Sequence, residues 1–313
     1  MEISSIRNKL LQQLSSNCRQ TTTELAKKLR ISRHLVAYHR EQLVKQKYII
    51  GYELMLNYQA LGYTDYLVYL KVRDYSAIRT KIIDFLKQES NIRWAAETFP
   101  VYNLRLAVLS KNHDDLEKIL TDLDTICAGR VIEKSVLITT KKLKLESYTT
   151  NVSKLIPLGA VKLDAQEQQL ILELYGNPIA TLKNLAEKSG YSIEGVRQKI
   201  KQFVDSGFIQ GFSAKIDHAK VGQDFWCNML IRITNVEKRL RGFQTLLYSD
   251  LGYGRTYKTI GNWNVELTIW AKQYKHLTEL VKNLEKYFGE DWQNFTFQVY
   301  TERIISHKLP ILA

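Results

Sequence analysis

The chain has 313 residues, 45% of them hydrophobic, enough for packed cores and, at roughly 150 residues per domain, for about two domains. Forty-five Lys and Arg stand against 32 Asp and Glu, a net of +13 with a pI near 9.4, which points to a polyanionic partner, nucleic acid before a membrane surface. The dispersed cysteines Cys18, Cys127 and Cys227 argue against a disulfide framework or a cysteine zinc site, and no run reaches the ~20 apolar residues that span a bilayer.

The N-terminal stretch MEISSIRNKLLQQL lacks a secretory pattern, so a cytoplasmic protein is expected. Ile6, Leu10, Leu11 and Leu14 keep helical spacing. A second helix is expected after Thr21, with Glu24 completing a capping box, and a third from Ser32, whose hydroxyl can satisfy a free N–H. YIIGYELMLNY then reads as a β-hairpin wing or an exit strand. Beyond it the pattern predicts strands over 66–72, 92–99, 103–109 and 131–141, with helices over 78–89 and 114–123. This βαββαβ order gives a four-stranded antiparallel sheet with helices on one face. Leu67, Tyr69, Leu104, Leu106 and Val108 are expected to leave part of the other face apolar, which calls for a partner.

The whole unit then occurs again. Residues 25–52 align without a gap to residues 185–212, with nine identities in 28 columns, at an offset of 160. VYNLRLAVLSK from Val101 resembles NWNVELTIWAK from Asn262, now at an offset of 161. The second copy opens on Asp164 with Glu167 three residues on, again a capping box, ahead of Leu170, Ile171 and Leu174. Its later strands are expected over 225–233, 255–260, 264–271 and 294–304, its helices over 237–247 and 275–288. The expected class is α+β, two winged helix-turn-helix domains (1–58 and 163–218) alternating with two ferredoxin-like βαββαβ domains (59–145 and 219–313). The polar stretch 146–162, with Pro157 and Gly159, is the expected linker.

The third helix of each copy is the candidate reader of the DNA major groove. In the first copy Val36 and Leu43, flanked by Leu35 and Val44, face the core. Arg33, His34, Ala37, Tyr38, Glu41 and Lys45 point outward, with Arg40 and, at the start of helix two, Thr22 as further contacts. An Arg at the exposed N-terminal turn offers a fork to guanine. In the second copy the candidates are Arg197, Gln198 and Lys201, beside Glu194 and Gly195. Charge separates the copies: residues 1–52 hold ten Lys/Arg and three Asp/Glu, a net of +7, whereas residues 160–212 hold six of each. The first copy is therefore expected to supply most of the affinity for double-stranded DNA.

These residues resemble the Lrp/AsnC ("feast/famine") family of transcriptional regulators. The opening Leu163-Asp164, the Leu185-Ala186 of helix two, Ser192 with Val196 four later, Gly207 before Phe208-Ile209, and Gly211 carry the resemblance. It implies a ferredoxin-like effector and oligomerisation domain whose sheets pair face to face, and a small effector, commonly an amino acid, near a Gly-x-aromatic-Asp turn. Here that turn is Gly261-Asn262-Trp263-Asn264, with Asn for Asp; the first copy has Pro100-Val101-Tyr102-Asn103. Lys47 stands where the family has a glycine. With both units in one chain, an intramolecular pseudo-dimer is expected, with a homodimer or higher assembly beyond it, and no cofactor.

Two rivals remain at this stage. Sirohaem decarboxylases share the fold, but the six histidines form no evident cluster and no phosphate loop or nucleophile motif appears. A non-enzymatic role is expected. An RNA reader would expose strand aromatics such as Tyr63, Tyr66, Tyr69, Trp94, Tyr102, Phe225, Trp226, Trp263 and Trp270, whereas a regulator would bury them between sheets.

Overall fold

The computed structural model describes residues 5–144, 157–223, 225–250, 252–305 and 309; most of the expected linker, 146–156, lies outside them. The first copy comprises α1 (Ser5–Ser16), α2 (Thr22–Leu29), α3 (Arg33–Lys45) and β1 (Ile49–Leu56), then β2 (Thr64–Val72), α4 (Tyr75–Gln88), β3 (Ile92–Pro100), β4 (Leu104–Ser110), α5 (His113–Cys127) and β5 (Val131–Lys144). The second comprises α6 (Ala165–Gly176), α7 (Leu182–Ser189), α8 (Ile193–Ser206) and β6 (Ile209–Ile216), then β7 (Phe225–Ile233), α9 (Val236–Ser249), β8 (Tyr253–Ile260), β9 (Val265–Ala271), α10 (Tyr274–Phe288) and β10 (Trp292–Ile305). Like parts associate: Met1–Leu61 with Tyr148–Gln223 make one unit, and Gly62–Ser147 with Asp224–Ala313 the other.

In the first unit both capping boxes form. The Glu24 N–H donates to Thr21 Oγ1 at 3.2 Å while Glu24 Oε2 accepts from the Thr21 N–H at 2.7 Å. Asp164 and Glu167 repeat the exchange at 2.8 and 3.0 Å. Leu10, Leu11, Leu14, Leu25, Val36 and Leu43 bury one small core, and Leu170, Ile171, Leu174, Leu185, Val196 and Phe203 the equivalent one. Val44, expected inward, is 45% exposed, because it lies one residue past Leu43 on the 3.6-residue turn.

Neither copy builds a hairpin wing of its own. β1 pairs antiparallel with β6, the exit strand of the other copy. The register is twofold: Ile49 faces Ile216 and Leu56 faces Ile209, Gly51 faces Lys215 and Met55 faces Gly211. Asn57 N–H donates to Phe208 O at 2.9 Å, and Asp217 N–H to Tyr48 O at 3.0 Å, the same bond seen from each copy. Arg19 Nη1 adds a bond to Pro178 O at 2.7 Å. The two three-helix modules are thus tied into one body by a shared ribbon.

The second unit is a closed eight-stranded barrel, in the order β10-β3-β4-β2-β5-β8-β9-β7, antiparallel throughout. Each βαββαβ half contributes four neighbouring strands, and closure runs through β5–β8 and β10–β3. β5 and β10 are 14 residues long because each serves two sheets: Val131–Ile138 pairs with β2 and Ile138–Lys144 with β8. The sheets therefore join edge to edge as well as facing one another, beyond the face-to-face pairing implied by resemblance.

Three clusters fill this unit. Two lie between each half-sheet and its helices. The third lines the barrel interior, with Leu67, Tyr69, Trp94, Tyr102, Leu137, Leu230 and Tyr257, and Trp226 and Trp263 packed against it. Of the strand residues expected on the open face, Leu67 and Tyr69 lie inside the barrel. Leu104, Leu106 and Val108 lie against the helices instead, with Arg105 and Ala107 facing inward. The alternation was legible, but β4 is apolar on both faces, so its phase was not. Barrel closure buries Tyr69, Trp94 and Tyr102, whereas Phe225 is 45% exposed and Trp226, Trp263 and Trp270 are half-buried. The three cysteines are buried and free, and burial pushes the Cys18 and Cys227 thiols up to about 12.

Leu43→Ala, which empties a fully buried site, is expected to cost about 2–5 kcal/mol, and Val44→Ala less than about 1 kcal/mol. Urea unfolding followed by far-ultraviolet circular dichroism distinguishes them.

Candidate nucleic-acid interface

The turn between α2 and α3 is built by local chemistry. Ser32 Oγ accepts from the Leu35 N–H at 3.2 Å and starts α3, while Arg30 ends α2 in the left-handed region, at φ 56°. Between the helices lies an open hollow of about 630 Å³ with Ala26 and Ile31 as its floor and Lys27, Arg30, Arg33 and His34 around it. The α3 N-terminus adds the positive end of a helix dipole, so the hollow attracts anions through backbone and side chains together.

Arg33, His34, Ala37, Tyr38 and Lys45 are all exposed along α3, with Tyr38 at 51%. Val36 and Leu43 anchor the opposite face, so these five side chains, together with the exposed Glu41, form one outward strip. Thr22 is half-buried and opens α2. Arg40, two turns on from Arg33, is half-buried too, and its charge opposes the rise that burial imposes on the Cys18 thiol. His39 turns toward α1, where Arg7 Nε donates to its Nδ1 at 3.4 Å; burial and then the Arg7 charge depress its pKa. Sequence reasoning missed Lys27 and Arg30. Their signal lay in the repeat, which pairs Lys27 with Glu187 and Arg30 with Gly190.

In the second copy Arg197, Gln198 and Lys201 are exposed on α8. Arg197 is engaged: its Nη1 lies 2.5 Å from Glu194 Oε2, one turn earlier. The position equivalent to Arg33 is Ile193, that of His34 is Glu194, and that of Lys45 is Asp205. The same scaffold thus presents a cationic strip in one copy and a near-neutral one in the other.

The copies also differ in backbone cost. Gly190 and Gly207 close α7 and α8 at φ 75° and 84°, which glycine adopts freely. The first copy holds Arg30 and Lys47 there, at 56° and 57°. Lys47 sits in a Schellman turn, with its N–H on Val44 O and the Tyr48 N–H on Leu43 O, both at 2.9 Å. Left-handed geometry costs a residue with a Cβ roughly 1–2 kcal/mol. Two cations are therefore placed beside the reader helix against local conformational preference.

The Gly261–Asn264 residues form the β8–β9 turn. Gly261 has φ 141°, and a Cβ there would meet Val136 O at 2.8 Å and Leu137 Cδ2 at 2.7 Å. Asn264 is committed to the sheet: its Oδ1 accepts from the Ile233 N–H at 3.0 Å and its Nδ2 donates to Ile233 O at 2.5 Å. Asn262 O accepts from Arg232 Nε and Nη2 at 3.0 and 2.8 Å, and Trp263 packs on the barrel interior. In the first copy Asn103 Oδ1 likewise accepts from the Val72 N–H.

Comparison with known proteins agrees with this geometry. The family described as "Winged helix-turn-helix DNA-binding" matches residues 3–50 and again 163–210. An uncharacterised HTH-type transcriptional regulator of Pyrococcus horikoshii is 20% identical over 134 residues, 43% of this chain and 89% of that protein. The HTH-type transcriptional regulator LrpA of Mycobacterium tuberculosis is 35% identical over 60 residues, 19% of this chain and 40% of that protein. Among solved structures, the siroheme decarboxylase NirDL matches at a TM-score of 0.66 and 14% identity, covering 98% of this chain and 94% of that one, a likeness of fold alone.

The fold and interface define a tandem winged helix-turn-helix DNA-binding protein. The chain is similar to HTH-type transcriptional regulators of the Lrp/AsnC type and carries the helix-turn-helix plus βαββαβ unit twice. Among the described residues, no helix is long and apolar enough to cross a membrane.

Lys47→Gly is expected to stabilise the apo-protein by about 0.5–1 kcal/mol, relieving the left-handed strain net of the greater freedom of glycine when unfolded. Chemical denaturation without DNA checks it.

Proposed function

We propose that this regulator binds duplex DNA sequence-specifically and that its first copy supplies most of the affinity. The observation that carries this is the exposed strip and hollow of Lys27, Arg30, Arg33, His34 and Lys45 on α2 and α3, against the Glu194–Arg197 pair on α8. Arg33, at the first turn of α3, reads a base edge, with Tyr38 and Lys45 further along the groove. Arg30 and Lys47 add charge at positions where strain would otherwise select glycine, as expected where function overrides local stability. With unequal readers in one body the target is an asymmetric site, unless two chains associate and present their first-copy readers to a palindrome.

Gel shifts on a fragment recovered by genomic pull-down test this reading at two salt concentrations. Arg33→Ala should weaken specific binding by about 1–3 kcal/mol, roughly 5- to 150-fold, and relax the sequence preference. Arg197→Ala should change it by less than about 3-fold. Equal losses would mean that both readers contribute.

A small effector, an amino acid by family resemblance, is proposed for the Gly261–Asn264 turn. Its binding should move the gel-shift midpoint by about 5-fold or more. If none of the twenty amino acids does so, the effector proposal falls and the DNA-binding reading stands. The fold shared with a decarboxylase supplies a second reading. Specific binding of an iron tetrapyrrole, seen as a shifted absorbance band, without specific duplex binding would favour it.

A further inference from the structure

The barrel interior contains one ion pair between positions that the duplication makes equivalent. Arg105 on β4 and Glu266 on β9 are related by the 161-residue offset, as are Thr98 with Thr259 and Asn103 with Asn264, which make matching turn bonds in the two halves. Arg105 Nη2 lies 2.9 Å from Glu266 Oε1 and Nε 3.2 Å from the same oxygen. The side chains are 8% and 1% exposed. Equivalent positions that touch must meet at the pseudo-twofold axis. A barrel of two first halves would therefore set Arg105 against Arg105, and one of two second halves Glu266 against Glu266. Either would bury like charges in contact without their counterion.

The residues around the pair are unequal in the same sense. Tyr69 Oη donates to Glu266 Oε1 at 2.7 Å, and the Asn228 amide also donates to it. Thr268 Oγ1 holds the Asn228 carbonyl at 2.9 Å. The Arg105 guanidinium lies 4.6 Å from the Trp94 ring centroid. The equivalents of Tyr69, Asn228 and Thr268 are Leu230, Leu67 and Ala107, whose side chains have no polar atom to repeat these hydrogen bonds, and that of Trp94 is Arg255. Arg105 and Tyr69 from the first half join Asn228 of the second on a carboxylate from the second, so the cradle is complete only when unlike halves meet.

We infer that Arg105 and Glu266 commit the first half of each barrel to a second half, excluding pairing of like halves between chains. A single ancestral unit paired with a copy of itself could not carry this arrangement, since both halves would then bear the same charge. Linkage in one chain permits it.

The test uses full-length Arg105→Glu and Glu266→Arg chains, separately and refolded together from urea. All five tryptophans lie in the barrel unit, so their fluorescence follows it directly. Each single variant places like charges at the axis and should unfold roughly 6–20 °C below the wild type. Mixed, the Arg105 half of one chain can close on the Glu266 half of the other. The co-refolded pair should therefore recover a transition at the wild-type temperature and elute as a heterodimer by size and differential tag. If a variant alone gives no folded protein, recovery of folded material only in the mixture is the same result. Single variants that unfold within about 2 °C of the wild type, or a mixture that melts like its components, would overturn the inference.

Discussion

A four-stranded βαββαβ sheet leaves two things unsatisfied: a face without helices and two edges whose N–H and C=O groups have no partner. In this chain the second copy satisfies both. β5 and β10 run past the end of their own sheets and continue on the opposite ones, so the edges that would invite aggregation become the seams of a barrel. Everything apolar on the open faces, Tyr69, Trp94 and Tyr102 among it, is enclosed in the same step. Each half needs a second sheet to close on, and the duplication supplies it within one chain.

The same logic runs through the helical unit at lower cost. β1 and β6 are each a lone exit strand, and each pairs with the other. A two-stranded ribbon is marginal by itself, yet here it is backed by the bonds from Cys18 N–H to Phe212 O and from Ser213 Oγ to Ser15 O. The ribbon joins the two three-helix modules within one chain.

With symmetry enforced by the chain, the two copies are free to differ wherever the pairing does not forbid it. On the surface they differ in charge: the first copy carries Arg33 and His34 where the second carries Ile193 and Glu194. In the barrel they differ by necessity, since Arg105 and Glu266 satisfy each other only by being unlike. One divergence changes the charge that the third helices present; the other sets unlike charges against each other inside the barrel.

Much of this was written in the sequence. Helix starts at Thr21, Ser32 and Asp164, the βαββαβ order and the repeat were legible because caps and hydrophobic period act over a few residues. Lys47 at a left-handed position was legible too, since the second copy has glycine there. The side on which Leu104, Leu106 and Val108 pack was not, because β4 is buried on both faces and alternation carries no phase. Nor was the partner of the exit strand, nor the half-burial of Arg40. The pairing of Arg105 with Glu266 lay at one column of the repeat, but only closure of the barrel brings that column face to face with itself. Local order comes from neighbours in sequence; strand phase comes from packing on α4 and α5, and edge pairing and the meeting of equivalent residues from contacts more than a hundred residues apart, which no local pattern encodes.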